Sequence, residues 1–258
     1  MKIGYFADGP WSHRTIEQLV GLRDIEIMFI TPRIEAPDPV LRDWAERLDV
    51  PFLPHADVNS REFREMIAVL GCDLMVSMSF NQILKRDLID LPRLGFINCH
   101  AGALPFYRGR NPLNWVLING ESEFGITVHY VDEGIDTGDI IRQRKYPITP
   151  QDTYGTLLTR AIRECANVLV AAVSDIRDGS VSRTPQASIH PVGTYFGRRK
   201  AGDERMNWHQ SSERCVNFIR GITLPGPCAR TWVRGNEVGI VEATASSPVA
   251  ALSSRASA

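Results

Sequence analysis

The chain is short of paired cysteines, of charge of one sign and of long apolar runs, and each shortage closes off a class of protein. Its five cysteines (Cys72, Cys99, Cys165, Cys215 and Cys228) are odd in number, scattered and never arranged as CxxC. They read as free thiols of a reducing cytoplasm, with neither a disulfide frame nor a zinc site. The 29 lysines and arginines nearly balance 30 aspartates and glutamates, so the net charge is −1 and no global basic field exists to hold nucleic acid. No apolar run approaches the roughly 18–20 residues of a membrane span. The opening MKIGYFADG lacks a signal peptide's apolar stretch and cleavage site, so a cytoplasmic protein without a membrane role is expected. There is no GxGxxG after the first apolar run and no GxxxxGK[ST] loop, which argues against a dinucleotide and against a triphosphatase-type phosphate cradle.

What is present is an ordinary globular composition, 43 % apolar and 23 % charged over 258 residues, enough for one large domain with a small appendage. Strand-like apolar runs at Lys2–Phe6, Glu26–Thr31, Pro51–Pro54, Leu74–Ser79 and Gly95–Cys99 alternate with helical patterns at Thr15–Arg23, Val40–Leu48, Arg61–Leu70 and Leu84–Ile89. Such alternation predicts an α/β fold, a Rossmann-like, mostly parallel sheet with helices on both faces. Sites in these sheets lie at the carboxyl ends of the strands. Tyr154–Ile176 carries apolar residues at three-to-four spacing, which predicts a long core-facing helix stopped by Gly179. Beyond it the spacing predicts a helix over Ser211–Ile222 and two short strands, Thr231–Val233 and Val238–Val241. The expected organisation is a catalytic domain over 1–180, a small C-terminal α+β subdomain over 181–246 and a disordered tail over 247–258.

The chemistry concentrates in Asn98–Ile141, NCHAGALPFYRGRNPLNWVLINGESEFGITVHYVDEGIDTGDII. Asn98 and His100 stand two residues apart on one strand and therefore face the same side. An Asp-rich loop, Asp132 to Asp139, follows a second expected strand, Gly125–Val131. An imidazole can take a proton near neutral pH, an amide NH₂ can stabilise an oxyanion, and a carboxylate such as Asp136 can orient the imidazole. Those are the parts needed to move an acyl group onto an amine. The same loop could equally be an Asx-type turn with Asp136 bonding backbone N–H groups. Asp132, Asp136 and Asp139 make a poor metal site, since no histidine joins them, and no metal is expected. The other histidines have bland readings, with His129, inside a strand, the best runner-up as a site wall.

Asn98-Cys-His100, Gly102-Ala-Leu-Pro105 and Asp136-Thr-Gly-Asp139, in that order, resemble the signature of the N10-formyltetrahydrofolate-dependent formyltransferases. The resemblance implies Asn98, His100 and Asp136 as the catalytic triad. It extends to the VSMSFNQIL stretch, implying that Met78, Phe80, Gln82, Ile83 and Leu84, with Asp132, Ile135 and Asp136, meet the folate co-substrate. It also reaches Trp208–Ala229.

Family resemblance gives the donor and leaves the acceptor open. The turn Tyr107-Arg-Gly-Arg-Asn-Pro-Leu-Asn-Trp115 resembles the sugar-nucleotide branch of that family. Methionyl-tRNA formyltransferases usually run longer, with a basic C-terminal barrel, and the near-neutral charge offers little for a tRNA backbone. The expected acceptor is therefore the amine of a nucleotide-linked amino sugar, a 4-amino-4,6-dideoxy sugar for lipopolysaccharide O-antigen synthesis, with no nucleic-acid partner and a possible homodimer. Phe106, Tyr107, Arg108, Gly109, Arg110, Asn111, Trp115 and Tyr195 are its expected contacts, with Arg198–Lys200 as further phosphate cations. A short methionyl-tRNA formyltransferase is the alternative, followed by a non-catalytic folate binder and a formyl hydrolase.

Overall fold

The computed structural model describes residues 1–245, and the tail expected over 247–258 lies outside the described residues. In chain order the strands are β1 (Lys2–Ala7), β2 (Glu26–Thr31), β3 (Leu74–Met78), β4 (Phe96–His100), β5 (Arg108–Gly109), β6 (Glu123–Tyr130), β7 (Ile140–Pro147), β8 (Tyr195–Phe196), β9 (Ala229–Val233) and β10 (Asn236–Ile240). The helices are α1 (Gly9–Leu19), α2 (Pro39–Leu48), α3 (Arg61–Ala68), α4 (Arg86–Ile89), α5 (Pro112–Ile118), α6 (Tyr154–Arg177) and α7 (Ser212–Ile222).

Six strands form the main sheet in the order β2-β1-β3-β4-β6-β7. The first four run parallel, and β6 and β7 join antiparallel. The inner strands are buried on both faces, as parallel strands with helices on either side must be. Alternation sorts β1 between two cores. Ile3, Tyr5 and Ala7 join one with α1, α2, α5 and α6, while Phe6 turns to the other with Phe63 and Ile67 of α3 and Leu88 and Ile89 of α4. Phe6 is the hub of that second core, with Phe29, Phe63, Phe80 and Phe96 rings all within 6.1 Å between centroids.

Helix starts follow local chemistry. Asp38 accepts from the Val40 and Leu41 amides ahead of α2, with Pro39 in the first turn. Thr153 and Thr156 bond reciprocally to cap α6. Three of the differences from expectation have plain local causes. α1 starts earlier, at Gly9-Pro10, because the proline's fixed φ suits the first turn. Pro51–Pro54 makes only one bridge, Ile30 to Phe52, since its prolines cannot donate to a ladder. β7, with Arg142, Gln143, Arg144 and Lys145, lacks an apolar signature because it is the edge of the sheet.

After α6 the chain returns to the sheet. Thr184 bridges Ile140 of β7, and β8 pairs in parallel with β5. α7 then packs beside α5, and the β9–β10 hairpin closes a small core of Ile219, Ile222 and Ala229. Among the described residues no helix is long and apolar enough to cross a membrane.

Candidate active site

Asn98 and His100 share the β4 face that also carries Phe96, and antiparallel pairing sets His129 of β6 directly opposite Asn98. Three polar side chains thus meet on one face at the carboxyl half of β4. The 132–139 loop folds back over them and holds Asp136 in the left-handed region at φ 55°. Asp136 Oδ2 lies 3.6 Å from His100 Nδ1, and Oδ1 lies 3.5 Å from His129 Nε2. The Gly109 amide donates to Asp136 Oδ2 at 2.8 Å. The Asx turn in this loop belongs to Asp132, whose Oδ1 accepts from Gly134 N and Thr137 Oγ1.

Backbone carbonyls fix both imidazole tautomers, because a carbonyl oxygen can only accept. His100 Nε2 stands 2.7 Å from the Tyr107 carbonyl and must carry a hydrogen. His129 Nδ1 stands 2.7 Å from the Tyr130 carbonyl, which leaves Nε2 of the neutral ring free to accept from the Asn98 amide at 3.3 Å. Burial pushes the Asp136 carboxyl up, but the positive charge of the His100 and His129 rings when protonated, with the Gly109 N–H, outweighs it and holds the group well below the ordinary carboxylate range. The site is therefore a carboxylate facing two imidazoles, with a carboxamide beside them.

Two cavities meet at His100. The larger, about 460 Å³, is lined by Phe80, Ile83, Leu84, Val131, Ile135 and the three polar groups, with Arg110, Tyr195 and Arg198 at its rim. The smaller, about 280 Å³, is lined by Trp11, Met78, Leu113, Tyr154 and Cys165, and shares Ser79, Cys99, His100 and Arg110 with the first. Of the expected folate contacts, Phe80, Gln82, Ile83, Leu84, Asp132, Ile135 and Asp136 line the larger cavity. Met78 is fully buried and reaches the smaller one instead, and Gln82 spends its amide on Val58 N and the His55 carbonyl.

The expected acceptor contacts divide. Gly109, Arg110 and Tyr195 reach the larger cavity, and Arg110 and Asn111 the smaller. Tyr107 and Trp115 stack on Phe196, and Tyr107 Oη donates to Glu121 at 2.5 Å. Phe106 packs beside His190. Arg108 turns inward, donating to Gln186 Oε1 and the Val192 carbonyl, so its guanidinium is committed to the fold. Trp208 donates to Thr231 Oγ1 in the C-terminal hairpin. The sequence reading missed Gln186 and the Tyr107 carbonyl. A lone glutamine in a polar stretch, and a backbone atom, leave no pattern to find.

A Rossmann-like α/β sheet with an Asn–His–Asp group at the carboxyl half of a central strand defines the general class. Residues 32–173 match the formyl transferase family model, and the chain belongs to that family. It is 35 % identical over 205 residues to a methionyl-tRNA formyltransferase of Syntrophus aciditrophicus, an alignment covering 80 % of this chain and 65 % of that protein. It is 34 % identical over 251 residues to a methionyl-tRNA formyltransferase of Listeria welshimeri, covering 94 % and 79 %. The fold is also that of a sugar N-formyltransferase from a Shewanella species, at TM-score 0.75 and 20 % identity over 96 % of this chain and 99 % of that one.

These relatives overturn the expected sugar acceptor. Proteins 33–35 % identical over 80–94 % of the chain carry the methionyl-tRNA formyltransferase name, while the sugar N-formyltransferase likeness is one of fold. The expectations of O-antigen synthesis and of no nucleic-acid partner lose their footing with it. Two physical reasons account for the misreading. The Tyr107–Trp115 turn resembles the sugar-nucleotide branch, yet its first arginine is spent inside the fold. A near-neutral net charge says little about tRNA, because phosphate neutralisation depends on where cations stand and is not set by their sum.

Proposed function

We propose that this chain formylates the amine of methionyl-tRNA with N10-formyltetrahydrofolate as donor. The observation that carries the reading is His100 at the junction of two cavities, in a chain whose relatives of one-third identity are methionyl-tRNA formyltransferases. The chain spans 65 % of the length of the first of those relatives, so the acceptor is inferred from the shared part. The larger cavity suits a folate. Phe80, Leu84 and the half-exposed Ile83 and Ile135 offer apolar walls for a flat heterocycle, beside polar groups that can bond its edge. The amine then reaches His100 from the smaller cavity.

The folate supplies a formyl group. As the amine nitrogen bonds to the formyl carbon, negative charge gathers on the formyl oxygen, and the Asn98 NH₂ donates to it. Contacts of this kind are typically worth about 3–4 kcal/mol of barrier. His100 takes the proton that the amine sheds and returns it to the departing folate nitrogen as the old bond breaks. The neutral ring has one open nitrogen, Nδ1, and the protonated ring finds Tyr107 O and Asp136 on its two sides. At 3.6 Å the Nδ1–Asp136 gap is slightly longer than a direct hydrogen bond, yet close enough for the carboxylate to stabilise the protonated ring.

The test is formyl transfer from labelled N10-formyltetrahydrofolate to charged initiator methionyl-tRNA. Transfer is expected for the native chain, and absence of transfer to that acceptor overturns the reading.

A further inference from the structure

Gln186 is 97 % buried by its 3 % exposure, lies outside every motif read above, and uses all of its amide on the site. Its Nε2 donates to the Asp136 carbonyl at 2.9 Å and to the Gly138 carbonyl at 2.8 Å. Its Oε1 accepts a fork from Arg108, at 3.1 Å from Nε and 2.7 Å from Nη2. Arg108 precedes Gly109, whose amide holds Asp136 Oδ2 at 2.8 Å. One side chain therefore grips the carboxylate residue twice, through its own backbone on one side and through the Arg108–Gly109 strand on the other.

We propose that Gln186 is a positioning residue for the Asp136–His100 pair, acting with Arg108 as a clamp. The strained backbone explains why a clamp is needed. Asp136 sits at φ 55°, a conformation that an aspartate adopts at a cost unless its surroundings impose it. The two carbonyls that Gln186 bonds bracket that turn, Asp136 O on one side and Gly138 O on the other. Only an amide fits the clamp. The carbonyls need a donor while the Arg108 guanidinium needs an acceptor, and Gln presents both on one rigid plane. Glutamate would serve Arg108 and set a negative charge against two carbonyl oxygens, and methionine would serve neither. Gln186 faces the cavity groups through Asp136 alone. The ionisable groups around that carboxylate are His100 of β4, His129 of β6, Asp132 of the same loop, and Arg110 and Arg198 at the rim.

The inference rests on Asp136 serving His100 as proposed above, and its test reads that pair with and without turnover. Gln186→Met keeps the side chain's length and removes every bond. The expected result is a fall in kcat of roughly tenfold to a hundredfold, as for small misplacements of reacting groups. KM for N10-formyltetrahydrofolate should change little, because Gln186 does not line the larger cavity. Nitrogen-15 NMR of the His100 ring, recorded on the resting protein at fixed pH, should show its Nδ1 and Nε2 chemical shifts displaced in Gln186→Met. Arg108→Met should give the same displacement, with no further change in the double variant. A variant folded by circular dichroism, with native His100 ring shifts and native kcat, overturns the clamp. If the native chain transfers no formyl group while the His100 ring shifts still move, the functional reading fails and the clamp stands.

Discussion

His100 donates from Nε2 to the carbonyl oxygen of Tyr107 at 2.7 Å, and this bond decides which ring nitrogen trades protons. The exchanging atom is Nδ1, on the side of Asp136. Replacing His100 with Asn keeps polar bonding while removing the ring nitrogen that exchanges the proton. In His100→Asn, kcat should fall by about two to four orders of magnitude, the range general acid–base catalysis supplies. Folate affinity, followed by fluorescence titration, should remain close to native. Near-native turnover would remove His100 from the mechanism.

Gly102 gives a purely steric probe of the same ring. A Cβ there would lie 2.6 Å from His100 Nε2 and 2.9 Å from the Tyr107 carbonyl, prising apart the very bond that sets the tautomer. Gly102→Ala should therefore depress kcat strongly. Overpacking of this size typically costs about 1–3 kcal/mol of stability, so the chain should still fold. Urea unfolding alongside kinetics checks both halves, and native kcat in a folded Gly102→Ala protein contradicts the assigned contact.

The lowered pKa of Asp136 makes a statement about acid stability. Its folded value lies below the unfolded one of about 3.9, so the native state binds fewer protons than the unfolded chain as pH falls. The stabilisation is fully present above that value and is lost as pH drops toward the folded one. Asp136→Asn removes the carboxylate and with it this loss. Between about pH 5 and pH 2 the native chain's urea midpoint should fall more steeply than the variant's. Parallel curves would show that the carboxylate is not held as described.

The sequence carried most of the frame and little of the site's scaffolding. The alternation of apolar runs predicted the parallel sheet, because strands buried on both faces are continuous in their hydrophobicity. β7 and α5 escaped it. The first is an edge strand rich in charge, and the second is a short helix whose proline and asparagines read as a turn. Asn98 and His100 were legible from their two-residue spacing. His129 was legible only as a site wall, and Gln186 was not legible at all, since it reaches Asp136 at a sequence separation no local pattern records. Arg108 shows the opposite error. Its residue type suits a phosphate contact, and the fold instead turns it inward onto a glutamine.

If the acceptor is methionyl-tRNA, as proposed, Arg110 is the cation placed to meet its phosphates. It is exposed, lines both cavities at their shared rim, and among the described residues its guanidinium has no ion pair or hydrogen bond. A free cation beside the amine's entry route neutralises one phosphate and releases one counterion. Arg110→Ala should weaken binding of methionyl-tRNA and reduce the slope of log K against log salt by about 1. The chemical step at saturating acceptor should change little, because among the described residues Arg110 makes no hydrogen bond or ion pair with Asp136 or His100. Arg108→Lys gives the contrasting case. It breaks an internal fork without removing a charge, so it should lower kcat and leave the salt slope intact. An unchanged slope in Arg110→Ala would move the phosphate contact elsewhere on the chain.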